Sequence, residues 1–307
     1  MLKRFDLLSV DGKTRLQGYH WPCEKPWAVL QITHGMAEHL LRYDGFAKYL
    51  NQQQIAVIGH DHLGHGASIY QQPAGYFHDS QTENGLVGDL HQVTQWGKKN
   101  YPEIPFFVLG HSMGSFVLRN YLTEYGTEIS GAILVGTGQQ PAWLTRVGRS
   151  VAKGLSKIQG EKHPSWLIDR LAFGRMNRKF SPQRTDKDWL VSLSQEVDNY
   201  LADPACGFLF TLSGYQELFS QIIRTQDPVL LQRVPKELPL LFLSGSDDPV
   251  GEFGKGVLKA ATAYQGAGVQ QVTVKLYEGA RHELLNETQK PKVFRDICKW
   301  VEKISGK

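Results

Sequence analysis

Short apolar runs bounded by turns recur through this chain, and most are followed by an amphipathic segment. Ala28-Val29-Leu30-Gln31-Ile32 precedes a helical pattern from about Arg42 to Gln53, and Ile55-Ala56-Val57-Ile58 precedes a loop and a second pattern from about Glu83 to Asn100. Phe106-Phe107-Val108-Leu109 leads into a third, from about Met113 to Tyr125, and Ala132-Ile133-Leu134-Val135 follows it. Near the C-terminus, Leu238–Leu243 and Val272–Tyr277 each precede another, at about Gly254–Tyr264 and Pro291–Ile304. Runs this short that do not alternate with polar residues suit strands buried on both faces, the situation of a parallel sheet. Strand–helix alternation then requires right-handed crossovers, with helices on both faces. Ahead of these runs, Arg4–Val10 and Leu16–Trp21 read as a hairpin turned at Asp11-Gly12. The fold class expected is α/β: a mostly parallel, eight-stranded sheet flanked by helices.

The alternation stops between residues 138 and 234. That stretch is helical in pattern and basic in composition. From Pro141 to Leu190 its cations are Arg146, Arg149, Lys153, Lys157, Lys162, Arg170, Arg175, Arg178, Lys179, Arg184 and Lys187, against Glu161, Asp169, Asp186 and Asp188. The expected organisation is a core of residues 1–137 and 235–307, with 138–234 inserted after the sixth strand as a helical lid over one end of the sheet.

Composition narrows the function classes. With 307 residues, 41% apolar and 21% charged, the chain can bury a large core and is not of the disordered class. No stretch approaches the ~18 uninterrupted apolar residues of a membrane span. The opening Met1-Leu2-Lys3-Arg4-Phe5-Asp6 has no apolar block of the secretory kind, so a cytoplasmic location is expected. Cys23, Cys206 and Cys298 stand singly, with neither zinc-site spacing nor a disulfide framework, and are expected to be reduced and mostly buried. A net charge of +4 is too mild to argue nucleic-acid binding.

The strongest chemical signal is Gly110-His111-Ser112-Met113-Gly114, a G-x-S-x-G pattern between a buried strand and a helix. A serine at the tip of such a turn needs a strained backbone, small neighbours and the positive end of the following helix. Its hydroxyl needs a base, and in this arrangement the partners follow in the order serine, acid, histidine. His282, just past the last strand, satisfies that order, whereas His34, His60, His62, His65 and His111 precede or abut the serine. Behind the penultimate strand stands Ser244-Gly245-Ser246-Asp247-Asp248-Pro249, with Asp248 the chosen acid and Asp247 the alternative. The oxyanion hole is expected from the Met113 N–H and, from Thr33-His34-Gly35-Met36-Ala37-Glu38-His39, the Met36 N–H.

Taken together, five segments resemble the monoacylglycerol lipase and lysophospholipase branch of the α/β-hydrolases, grouped with serine aminopeptidase-type sequences. They are His34–His39 with Arg42-Tyr43, Asp61–Ser68, Gly110–Gly114, Gly245–Asp248 and Glu278–His282. The resemblance implies the α/β-hydrolase fold, a triad of Ser112, Asp248 and His282, oxyanion donors at Met36 and Met113, and no cofactor or metal. Its Gly-Ser-x-Asp pattern is what favours Asp248 over Asp247. Two departures stand out. Ser115 occupies a position where glycine is usual, and Tyr200–Phe208 looks more like bacterial sequences labelled lysophospholipase than like the animal lipases.

The expected activity is serine-dependent hydrolysis of a carboxylic ester with one acyl chain, a monoacylglycerol or lysophospholipid. The rivals are a peptidase acting on small peptides and a non-catalytic receptor on the same fold. Asp61-His62-Leu63-Gly64-His65-Gly66 reads as a tight turn in preference to a metal site, and Glu38 and Arg42, four apart, can pair. Val147, Val151, Leu155 and Ile158 share a helical face near Arg149, Lys153 and Lys157. The favoured reading packs that face on the body; the alternative is transient contact with a membrane surface. Trp166, Leu167, Phe173, Phe208, Phe210 and Tyr215 either line an acyl pocket or form the core of the insertion.

Overall fold

A computed structural model describes residues 1–69, 71–77 and 84–307. Among them, strands β1 (Lys3–Leu8), β2 (Arg15–Trp21), β3 (Ala28–Thr33), β4 (Ile55–His60), β5 (Phe106–His111), β6 (Gly131–Val135), β7 (Leu240–Gly245) and β8 (Val272–Tyr277) form one sheet. The order across it is β1-β2-β4-β3-β5-β6-β7-β8. β2 pairs antiparallel with β1 and β4, and every later pairing is parallel. Asp11 closes the first hairpin, its Oδ1 accepting the Lys13 and Thr14 N–H groups at 2.8 Å.

The apolar runs are buried because both faces of the sheet are covered. In β5, Phe107 and Leu109 face a layer containing Phe46 and Leu50 of α1 (Asp44–Gln52) and Val293, Ile297 and Val301 of α10 (Lys290–Ser305). Phe106 and Val108 face the opposite layer, with Leu90 of α2 (Gly85–Asn100), Val117 and Tyr121 of α3 (Met113–Tyr125) and Val257 of α9 (Lys255–Gly266). Each such aliphatic side chain contributes about 1.5–3 kcal/mol by leaving water. The first helix is shorter than expected because Leu40–Tyr43, including Arg42, is a 3-10 turn that ends where α1 begins. Glu83, the expected start of α2, lies outside the described residues.

Strand order reverses around β3, which lies between β4 and β5. At such a reversal the loops leaving the carboxyl ends of neighbouring strands diverge and open a crevice. Here Thr33 at the end of β3 is in register with Gly110 near the end of β5, and His111 with Val135 at the end of β6. The loops carrying His34–His39, Ser112 and Gly136 therefore leave from adjacent points on one rim.

Between β6 and β7 run α4 (Ala142–Gln159), α5 (Trp166–Phe173), α6 (Ser194–Ala202), α7 (Leu212–Arg224) and α8 (Pro228–Leu231). α4 buries Thr145 and Ala152. A Cβ added at Gly148 would lie 3.2 Å from the Phe219 ring of α7, so the two helices run in close contact. The expected packing of the Val147–Ile158 face on the body is only partial. Val147 is 52% and Ile158 85% exposed, because the contact to α7 runs through the small residues instead.

Candidate active site

Ser112 stands between β5 and α3 with φ +50° and ψ −118°, a left-handed conformation costly for any residue with a Cβ. The crossing is possible because its neighbours are glycine. A Cβ at Gly114 would meet the Thr33 carbonyl oxygen at 2.2 Å, and one at Gly110 the Gly114 oxygen at 2.5 Å. Ser115, at the position where glycine was expected, fits by donating its hydroxyl to the Ser112 carbonyl at 2.6 Å.

His282 follows β8 and is buried beside Asp248, which follows β7. His282 Nδ1 lies 3.0 Å from both Asp248 oxygens. Asp248 is fully buried and also accepts the Val250 N–H at 2.9 Å and the Ser244 hydroxyl at 3.2 Å. Asp247 is only partly buried and reaches back through its backbone, its N–H donating to the Ala280 carbonyl. Burial works against a charged imidazole at 282, but the Asp248 carboxylate outweighs it, so the pKa of His282 rises above its ordinary value. Ser112 and His282 line one cavity, with no direct hydrogen bond between them among the described residues. A Cβ at Gly136 would sit 2.9 Å from His282 Cε1, so only glycine leaves room for the ring.

Backbone donors cluster on the same side. Gly35 N–H donates to Glu38 Oε1 at 2.6 Å, Ala37 N–H to His65 Nε2 at 3.2 Å, and Ser112 N–H to the Val135 carbonyl at 2.9 Å. The Gly35, Ala37 and Ser112 amides are thus occupied, whereas the hydrogen bonds of the described residues give the Met36 and Met113 N–H groups, at the wall of the cavity, no acceptor.

Behind the Met36 loop lies the histidine-rich turn. Asp61 ties it together, accepting the Leu40 and Ala67 N–H groups at 2.8 Å and the Tyr19 hydroxyl at 3.1 Å. His65 Nε2 accepts the Ala37 N–H, so its proton sits on Nδ1 and faces the Leu63 carbonyl. Burial holds His65 and His60 down to about pKa 4, so both are neutral.

A second polar system was only half legible in the sequence. Arg42 pairs with Glu38 at 2.7 Å, as its spacing suggested, and also grips Glu283 through two bonds of 2.8 and 2.6 Å. Glu38 further accepts the Tyr43 hydroxyl at 2.9 Å, and the Arg42 guanidinium lies over the Tyr200 ring at 4.9 Å. Burial alone would raise both carboxyls, but the guanidinium beside them holds both below the usual carboxylate range. The network ties the Met36 loop to the residue after His282. The sequence signal available was a glutamate next to a candidate base; nothing in its spacing linked 283 to 42.

The cavity has a volume of about 350 Å³. It runs from Ser112 and His282 between α4, α5 and α7, past Val147, Val151, Leu171, Phe173, Leu218, Phe219 and Ile222. Of the residues weighed for this role, Phe173 and Phe208 line it, Phe210 and Tyr215 are fully buried, and Trp166 and Leu167 face solvent. The segment 188–192 is sewn to the His282 loop: Arg281 donates to the Asp188 carbonyl at 2.5 Å, and Glu283 N–H to the Leu190 carbonyl at 2.7 Å. The Trp189 ring stands 5.1 Å from that of His282. All three cysteines are free; Cys298 is buried, and Cys23 and Cys206 are only partly so.

Comparisons with known proteins agree with this architecture. The serine aminopeptidase S33 family model matches residues 24–289. The chain is 31% identical to a monoglyceride lipase of Rattus norvegicus, over 96% of this chain and 89% of that one. It is 26% identical to a monoacylglycerol lipase of Mycolicibacterium smegmatis, over 91% and 90%. Its fold superposes with a TM-score of 0.92 on a thermostable carboxyl esterase from Bacillus coagulans solved with glycerol, at 26% identity over 99% of each chain. A G-x-S-x-G turn on a mostly parallel sheet, a histidine past the last strand and relatives of this kind make the molecule a serine hydrolase, not an inert receptor. The chain belongs to the serine aminopeptidase S33 family of α/β-hydrolases.

Proposed function

We propose that this enzyme hydrolyses carboxylic esters of a single acyl chain, with monoacylglycerols the first substrate class to test and lysophospholipids the second. The observation that carries the reading is the mostly apolar cavity of about 350 Å³ that Ser112 and His282 line. A cavity at the lower end of small-ligand size suits one chain better than three. The names of the rat and mycobacterial relatives point the same way.

In this mechanism His282 takes the Ser112 proton as the serine oxygen attacks the ester carbonyl. The tetrahedral oxyanion is held by the Met36 and Met113 N–H groups, at the positive end of α3. Asp248 keeps the Nδ1 proton facing itself and stabilises the imidazolium. His282 then gives its proton to the departing alcohol. Water, deprotonated by the same ring, attacks the acyl-enzyme and releases the fatty acid and Ser112. Folded protein should be labelled at Ser112 by a fluorophosphonate probe, and Ser112→Ala should abolish both labelling and ester hydrolysis. Labelling elsewhere, or activity surviving in Ser112→Ala, would overturn the assignment.

Residues 1–137 and 235–307 act in this reading as the catalytic core and 138–234 as its lid. Trp143, Leu144, Val147 and Ile158, all more than half exposed and interleaved with Arg146, Arg149, Lys153 and Lys157, suit transient contact with a lipid surface. Three unpaired cysteines suit work in the cytoplasm. A peptidase would need a carboxylate to anchor the substrate amine. Those lining the cavity, Glu38, Glu283 and Asp169, are already engaged with Arg42 or the Tyr215 hydroxyl. Rates on p-nitrophenyl acyl esters should therefore far exceed those on aminoacyl anilides; the reverse order would refute the ester reading.

A further inference from the structure

We propose a metal-binding site for a zinc-like divalent cation, formed by His39, Asp203 and Cys206, at the seam between the Met36 loop and the segment after α6. The ligand atoms of the three residues, His39 Nε2, a carboxylate oxygen of Asp203 and Cys206 Sγ, lie within 4.8 Å of one another. Residues 164 positions apart supply the closest pair, His39 Nε2 and Asp203 Oδ2, at 2.8 Å.

The backbone arranges these groups for a shared ligand. Asp203 opens a turn in which its Oδ1 accepts the Ala205 N–H at 2.9 Å and its carbonyl accepts the Cys206 N–H at 3.0 Å. That leaves Oδ2 aimed at His39 and brings the thiol onto the same side. The turn is fastened to the Met36 loop by Gly207 N–H and the Tyr200 hydroxyl, both donating to the Ala37 carbonyl at 2.9 Å. A nitrogen, an oxygen and a sulfur ligand with a fourth position open to solvent is a set that zinc accepts. Tetrahedral zinc with ordinary bond lengths spaces its ligand atoms by about 3.3–3.6 Å. The short contact would open by roughly half an ångström and the widest would close by about an ångström, within reach of side-chain rotation.

Arg42 is bonded to Glu38 and Glu283 and, among the described residues, not to Asp203, whose carboxylate faces His39 instead. The side chains of His39 and Asp203 keep 14% and 33% of their surface exposed, which gives an ion a way in. On binding, the Cys206 thiol loses its proton to the buffer and its sulfur bonds the metal. His39 donates the Nε2 lone pair with its proton held on Nδ1, and Asp203 stays ionised. The bound ion would staple Asp203–Phe208 to the Met36 loop, and Phe208 lines the acyl cavity.

The test titrates the whole, metal-free protein with Zn²⁺ against a chromophoric chelator, and with Cd²⁺ while following the ultraviolet band of a cadmium–thiolate bond. The expected result is one equivalent bound, proton release on binding and a rise in Tm with Zn²⁺. Affinity should fall at least about tenfold in both Cys206→Ser and His39→Gln, while Cys23→Ser and Cys298→Ser bind as the parent does. Failure to bind one equivalent at micromolar Zn²⁺, or a cadmium–thiolate band that survives in Cys206→Ser and vanishes in either other cysteine variant, would overturn the proposal. None of these readouts depends on which ester the enzyme cleaves.

Discussion

Replacing Arg42 by methionine isolates what a buried cation does beside the active site. The guanidinium side chain is 12% exposed, and those of its partners Glu38 and Glu283 are 4% and 5% exposed. Methionine keeps much of the volume and removes the charge, stranding two carboxylates away from water. Breaking a buried pair in this way costs about 3–5 kcal/mol at neutral pH. The pH dependence distinguishes this cause from lost packing. In the parent protein both carboxyls are held below their unfolded pKa, so their contribution is present above about pH 4.5 and is lost as pH falls through the depressed folded values. Without Arg42, burial is no longer offset and raises them instead. Folding then takes up protons, and the variant loses stability as pH climbs above about 4.5, by up to about 1.4 kcal/mol per pH unit for each proton taken up. The deficit relative to the parent is therefore larger near pH 7.5 than near pH 5, by the part that grows as the variant's buried carboxyls are forced to ionise. Urea unfolding followed by tryptophan fluorescence at both pH values measures it. Adding Glu38→Gln and Glu283→Gln to Arg42→Met should restore much of the loss, because no buried charge remains. A deficit below about 1 kcal/mol at neutral pH, or one equal at both pH values, would refute the reasoning.

Three further outcomes follow from the site. Asp248→Asn leaves the His282 ring without its carboxylate and in the wrong tautomer, and kcat should fall by roughly 10⁴ with little change in Tm. Because the Asp248 carboxylate raises the His282 pKa above 6.5, and the proposed mechanism needs this ring neutral, kcat/KM of the parent enzyme should decline as pH drops through an apparent pKa above 6.5; a midpoint below that would contradict this. Val151→Trp puts an indole into the wall of the cavity, so kcat/KM for long-chain esters should drop about tenfold or more while acetyl and butyryl esters are nearly unaffected, as a graded acyl panel would show.

Much of this molecule was legible in the chain alone because the relevant signals are local. Apolar runs located the strands, Met113–Tyr125 was bounded correctly as a helix, and a glycine-flanked serine between strand and helix specified a strained turn by itself. Chain order and strand position then singled out His282 and the pair Asp247-Asp248. What stayed hidden depends on which distant surfaces meet. The sequence pairs Arg42 with Glu38 at helical spacing, yet the firmer grip is on Glu283, reached only because the loops after β3 and β8 converge on one rim. The apolar stripe of α4 predicted burial, but helices in the insertion can meet through several faces, and Thr145, Gly148 and Ala152 offered α7 a closer approach than the larger residues did. Nothing in the spacing of His39 and Cys206 links them, and they come together only when the turn after α6 folds back onto the Met36 loop. Periodicity and turn chemistry are written residue by residue; convergence is decided by how the strands are ordered and how the insertion closes over them.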